Sequence, residues 1–253
     1  MKGKVVLVTG ASSGIGRAAA LEFVRAGCKV VASGRNDSAL NELLLESAKE
    51  PGDLRVHLAD LREQGQLEHL VSTTVDNYQK IDVLINSGGI IGGGSIENTT
   101  LENWDKMLDV NLRAVFYLMQ LCVPHLAMVE GNIVNVSSVA GTRAFPNVLA
   151  YCVSKAALDQ LTRCAALELS DKKIRVNSVN PGVVVTELHK RSGMSDEDYK
   201  AFLQRSKETH PIGRVGEPAE IAELIFFLAS ERASWITGAN YAIDGGRAQT
   251  CAR

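Results

Sequence analysis

The chain has 253 residues, 45% of them hydrophobic and 22% charged, the balance of an ordinary water-soluble fold with room for a sizeable core. Lysine and arginine number 27 against 29 aspartate and glutamate, a net charge of -2. That excludes the basic field of a nucleic-acid binder and the pull of a polybasic patch towards anionic membrane. The five cysteines, Cys28, Cys122, Cys152, Cys164 and Cys251, have no metal-ligand spacing and an odd count. They read as reduced thiols of a cytoplasmic protein with no metal site. No run approaches the roughly 20 apolar residues that cross a bilayer, and the first apolar run reads as a strand rather than a targeting leader.

Lys4 to Val8 is a short β-branched apolar run, the pattern of a buried parallel strand. Thr9-Gly10-Ala11-Ser12-Ser13-Gly14-Ile15-Gly16 follows, then a helical pattern from Arg17 that Gly27 ends. Strand, glycine turn and helix form the context in which a dinucleotide pyrophosphate is held. The glycines permit a tight turn, close backbone approach and close helix–sheet packing, and the helix N-terminus offers free N–H groups. Ser12 and Ser13 add hydroxyl donors. Further strands are expected to begin near Lys29, Arg55, Val83, Asn132, Arg175 and Tyr241. Helices are expected over 17–26, 37–48, 61–78, 101–127, 151–169 and 218–229. This alternation predicts an α/β fold: a doubly wound parallel sheet of about seven strands with helices on both faces, in one domain over 1–253. Ligands then bind at the carboxyl ends of the strands. A polar, charged segment from His189 to Gly213 stands apart, with Ser195-Asp196-Glu197-Asp198 able to start a helix.

Tyr151 and Lys155 carry most chemical information. Four apart on a helix, they share one face. A phenol has a pKa of about 10. A fixed cation close by favours the phenolate and is expected to lower that value towards the range useful in acid/base catalysis. Alone, the pair also fits a packed tyrosine beside a solvated lysine. Cys152 adjoins Tyr151 but points elsewhere on the helix and reads as a packing residue.

Together, in this order, the motifs resemble the short-chain dehydrogenase/reductase family, over nearly the whole chain. The loop from Thr9 to Gly16 is similar to the family's cofactor loop. Asn86-Ser87-Gly88-Gly89 corresponds to its Asn-Asn-Ala-Gly, with Ser87 and Gly88 as departures. Asn111, Ser138, Tyr151 and Lys155 correspond to its catalytic tetrad, and Pro181-Gly182 with Thr186 to the motif beside the nicotinamide. The resemblance implies a Rossmann-type cofactor site that also takes in Ile15, Asp60, Leu61, Asn86, Val110 and Val184, a substrate lid over 187–214, and a homotetramer. Ser138, Phe145 and Tyr151 would meet the substrate.

Relatives that prefer NAD(H) usually carry a carboxylate where this chain has Gly34. Gly34 offers no repulsion to a 2′-phosphate and Arg35 offers a planar cation, so NADP(H) is expected over NAD(H). Arg35 also fits an exposed turn residue stacking on adenine. The implied reaction is hydride transfer between the nicotinamide and a carbonyl, with Tyr151 as proton donor and Ser138 bonding the substrate oxygen. Lys155 would tune the phenol and hold the ribose, and Asn111 would hold a relay water. Ile91, Val139, Phe145 and Val183 give an apolar surround that suits a small aliphatic or cyclic ketone or alcohol. The pattern is most similar to 3-oxoacyl-carrier-protein reductases and carbonyl reductases. Alternatives are a cofactor-holding redox sensor or scaffold without turnover, and an NAD-dependent alcohol or steroid dehydrogenase.

Overall fold

The computed structural model describes residues 1–250; Cys251 lies outside them. Each of these runs becomes a strand: β1 Val5–Thr9, β2 Lys29–Gly34, β3 Asp53–Leu58, β4 Val83–Asn86, β5 Asn132–Val136, β6 Arg175–Pro181 and β7 Asn240–Ile243. All six neighbouring pairs are parallel, in the order β3-β2-β1-β4-β5-β6-β7. The helices between them are α1 Gly14–Arg25, α2 Asp37–Ser47, α3 Gln64–Tyr78, α4 Leu101–Leu108, α5 Ala114–Ala127, α6 Leu149–Glu168, α7 Leu188–Arg191, α8 Asp196–Thr209 and α9 Pro218–Ala229.

The unbroken apolar character of the inner strands β1 and β4, buried throughout, follows from burial on both faces, whereas the edge strands β3 and β7 stay partly exposed. Val6 and Val8 pack into one core cluster with Phe23 of α1, Leu43 of α2 and Ile225 of α9. Leu7, between them, joins the opposite cluster with Leu70 of α3, Leu118 of α5 and Leu158 of α6. Val83, Leu84 and Ile85 of β4 alternate in the same way. Strand order reverses between β1 and β4, whose ends pair Thr9 with Asn86. The crevice at such a reversal is where doubly wound sheets bind ligands.

Two expected helices differ in form. The run over 101–127 is not one α-helix: residues Asp109–Arg113 form a π-helical turn between α4 and α5. Asn111 sits in that turn, fully buried, where the widened backbone replaces regular packing with an internal polar contact. The helix expected from 61 begins at Gln64. Asp60 accepts from the Arg62 backbone N–H (3.0 Å) and from its guanidinium (2.8 Å), and this local turn competes with helix initiation. In the polar segment, Ser195 caps α8 by accepting from Asp198 N–H at 3.1 Å, as its sequence signals.

Candidate active site

The glycine loop is built by exclusion. Gly10 has φ +68°, and a Cβ there would stand 2.7 Å from the Gly88 backbone. A Cβ on Gly16 would meet the Gly10 carbonyl at 2.5 Å, and one on Gly14 (φ +54°) would meet Thr186 at 2.9 Å. Thr9 ties the floor together, accepting from Gly88 N–H (3.3 Å) and donating to the Ile85 carbonyl (3.4 Å). Ser13, the N-cap of α1, makes no side-chain capping bond, so the helix start keeps unsatisfied N–H donors facing the crevice. The Gly88 departure has a physical counterpart: the Leu61 side chain occupies the space an alanine Cβ would take, at 2.5 Å.

The catalytic candidates come together at the ends of β5 and β6. Ser138, Tyr151 and Lys155 line one cavity of about 430 Å³ with Gly10, Ser13, Gly14, Ile15 and Gly88. Pro181, Gly182, Val183, Val184 and Thr186 close its other side, with Ile91, Val139 and Phe145. Ser138, Tyr151 and Lys155 are all buried. Lys155 Nζ donates to the Val136 carbonyl at 2.8 Å and lies 5.9 Å from the Tyr151 ring centroid. Asn111 does not line the cavity. Its Oδ1 accepts from Ile90 N–H, and its Nδ2 donates to the Ile90 carbonyl and to Ser154 Oγ, at 2.9, 2.9 and 3.0 Å. It thereby pins the loop after β4 against α6.

The expected acidification of Tyr151 by Lys155 is corrected here. Burial pushes the Tyr151 phenol above its ordinary value, and the hydrogen bond to Ser138 works against that shift. Burial also pushes Lys155 down to about 8, with Asp159 acting in the opposite sense. Desolvation of the phenol at this depth outweighs the attraction of the neighbouring cation.

Other expected contacts fall outside the cavity. Asn86 is an internal strut, donating to Asn135 Oδ1 at 2.9 Å. Val110 is buried in the π turn, and Gly16 lies beneath the loop. Ser12 lies beside Gly34, its Oγ 3.1 Å from where a Gly34 Cβ would be. Arg35 is 59% exposed and 3.8 Å from Asp60, which Arg62 holds more closely. Arg17 pairs with Glu46.

Some site residues had no sequence argument. Asp159 is buried, accepting from Asn180 Nδ2 (2.7 Å), and the same nitrogen donates to the Ser138 carbonyl (3.0 Å). It therefore supports the serine from below. Continuing the four-residue step from Tyr151 through Lys155 would have found it. On the outer side, Tyr199 of α8 is buried, donating to the Thr186 carbonyl (2.8 Å) and accepting from its N–H (3.1 Å). His210 Nε2 accepts from Val183 N–H at 3.0 Å, and its Nδ1 faces the Ser206 carbonyl at 2.5 Å. Both contacts join distant positions that no spacing rule connects.

A family model described as enoyl-(acyl carrier protein) reductase matches residues 10–248. A 3-oxoacyl-(acyl-carrier-protein) reductase of Thermotoga maritima is 37% identical, over 97% of this chain and 98% of its own. The chain belongs to the short-chain dehydrogenase/reductase family. A cyclohexanol dehydrogenase of an Acinetobacter species is also 37% identical, over 96% of this chain and 94% of its own. A solved short-chain dehydrogenase/reductase of unknown function from Caenorhabditis elegans, determined with cofactor, superimposes with a TM-score of 0.94 at 35% identity, covering 99% of this chain and 97% of that one. Thermoplasma acidophilum aldohexose dehydrogenase superimposes with a TM-score of 0.88 at 32% identity, over 100% and 96% of the two chains. As a member of this family the protein is an NAD(P)-dependent oxidoreductase. No helix among the described residues is long and apolar enough to cross a membrane.

The residues present fit a nicotinamide dinucleotide. The cradle admits backbone N–H groups to a pyrophosphate because no Cβ stands at Gly10, Gly14 or Gly16, and the helix start behind it has donors to spare.

Proposed function

We propose that the protein interconverts a small carbonyl and its secondary alcohol by hydride transfer, with NADP(H) preferred over NAD(H). The observation that carries this reading is one cavity lined at once by Gly10 and Gly14, by Ser138, Tyr151 and Lys155, and by Pro181, Gly182 and Thr186. Bound nicotinamide would supply or accept the hydride. Tyr151, with its phenol held protonated by burial, donates a proton to the substrate oxygen in reduction and takes it back in oxidation. Ser138 offers a hydrogen bond where negative charge grows on that oxygen. Lys155 sits on the Tyr151 face of α6 and would bind the ribose, and Asn111 fixes the loop after β4. Thr9, Asn86 and Val110 would shape the cofactor floor from beneath, while Asp60 and Leu61 would flank the adenine.

The cofactor preference rests on the end of β2. Gly34 bears no carboxylate, Asp60 is occupied by Arg62, and Arg35 is exposed beside it. A 2′-phosphate would find a guanidinium and no bare anion. The residues 187–214 act as a substrate lid on a single domain, and the site belongs to a cytoplasmic enzyme. The exposed apolar side chains Phe116 of α5 and Val153 and Leu167 of α6 suit pairing of these helices across a two-fold axis in a homotetramer.

The test follows nicotinamide absorbance across aliphatic and cyclic ketones with both cofactors. Turnover is expected with NADPH ahead of NADH, and Arg35→Ala should cut kcat/KM for NADPH roughly tenfold, a lost charge-assisted phosphate contact, while leaving NADH turnover nearly as it was. Binding without turnover of any ketone or alcohol would instead mark a cofactor-holding scaffold, and a preference for NADH would overturn the cofactor assignment.

A further inference from the structure

Beyond Ser138, Tyr151 and Lys155, the charged or titratable side chains that line the cavity are His189 and Arg191 of α7, the latter exposed, and Arg247, half-buried just after β7. Arg247 is the better placed. Its Cζ lies 4.9 Å from the Phe145 ring centroid, and Phe145 packs against the small cluster of Met107, Ala140, Ala150 and Tyr151. One aromatic ring therefore separates the guanidinium from the residues around the phenol.

Arg247 is held in place from behind. The Asp244 carboxylate caps the short turn that carries it, accepting from Gly246 N–H at 2.9 Å and Ala248 N–H at 2.6 Å. Arg143 Nε donates to the Ala248 carbonyl at 2.6 Å, pinning the same turn to the loop after β5. Asp244 is thus committed to backbone groups. Among the described residues Arg247 forms no salt bridge, and its side chain has one protein acceptor, Thr209 of α8. A guanidinium carries five N–H donors in a planar fork. Burial also pushes its pKa down, with the nearby Asp244 charge acting in the opposite sense.

Resting on the carbonyl–alcohol chemistry above, we propose that Arg247 anchors a carboxylate of the substrate, so that the protein acts on a short oxo acid and the matching hydroxy acid. A half-buried cation with no salt-bridge partner among the described residues, its nearest carboxylate Asp244 already bonded to backbone N–H groups, is incompletely compensated. A substrate carboxylate completes it through a bidentate contact and leaves the carbonyl end of a chain of a few carbons for Ser138 and Tyr151. Phe145 stacks between the two ends and packs the intervening methylenes. Arg247 also touches both the loop of Phe145 and the lid helix α8. A purely mechanical clasp between these two would help charged and neutral substrates alike, and that difference decides the matter.

The experiment compares kcat/KM for 4-oxopentanoate and 5-oxohexanoate with that for their methyl esters, which keep chain and carbonyl and remove the charge. At least one acid is expected to exceed its ester by roughly 10- to 100-fold, the range of a hydrogen bond to a charged group. Arg247→Gln should bring that ratio close to unity, and Arg247→Lys should keep part of it. Ratios near unity in the wild type, or a ratio that survives Arg247→Gln, overturn the inference. So does a preference for a neutral 3-oxobutanoyl thioester over the free acids. Turnover of neutral ketones with none of the acids overturns it alone, whereas silence towards every carbonyl compound brings down the proposed reaction with it. If Arg247→Gln fails to fold, the wild-type ratios still decide.

Discussion

At the dinucleotide wall, Gly10 and Gly16 press backbone against backbone, with no space for a Cβ. Across the cavity, α8 presents only Tyr199 and Ser206 as buried residues and reaches the sheet ends through Tyr199 on Thr186 and His210 on Val183. The first wall, the proposed dinucleotide side, is made of main chain, which substitution cannot easily vary. The second is made of side chains on a polar helix, which can vary from relative to relative while the sheet stays fixed. Gly14 against Thr186 is where the two meet, so a change on either side reaches the reacting centre between them.

The comparison breaks first at that centre. Tyr151→Phe removes the proposed proton donor and leaves both walls intact; kcat is expected to fall by roughly 10²- to 10⁴-fold, with cofactor affinity, measured by fluorescence titration, nearly unchanged. A variant that kept full turnover would remove Tyr151 from the chemistry. Next comes the rigid wall. Gly10→Ala forces a Cβ into a backbone contact of 2.7 Å at a positive φ. A penalty of about 2 kcal/mol or more is expected from φ strain and crowding together, read as a lower Tm and weaker dinucleotide binding. Unaltered binding would mean the loop has slack the geometry does not show.

The α8 wall should respond more mildly. Tyr199→Phe removes two hydrogen bonds to Thr186 and should raise KM for the carbonyl compound more than it changes dinucleotide affinity, at about 1 kcal/mol per bond. His210 adds a pH signature. Burial holds its pKa below the ordinary histidine value, so the folded state binds fewer protons than the unfolded chain. Its contribution to stability is then whole above the unfolded value of about 6.5 and declines as pH falls below it. Denaturant unfolding at pH 7.5 and 5.5 should show a smaller loss in His210→Gln than in wild type. Equal losses would show that His210 is not the latch.

Much of the fold was legible because it depends on local, repeated signals. Apolar runs such as Lys4 to Val8 must be buried on both faces, and strand–glycine–helix order places the crevice. The four-residue step from Tyr151 to Lys155 survives folding because helix geometry alone enforces it. The π turn at Asn111 was not legible, since its cause is a distant partner, Ser154 on α6 and the Ile90 backbone. Nor was the direction of the Tyr151 shift. A sequence names the neighbouring charge, whereas only packing determines how much water is removed from the phenol. The sequence by itself determined the sheet, the cradle and the family chemistry, because periodicity and backbone sterics act over a few residues. The tertiary structure decided Asp159 beneath Ser138, the latches of Tyr199 and His210, and Arg247 over Phe145. Those contacts span up to about a hundred residues and exist only once the chain has closed on itself.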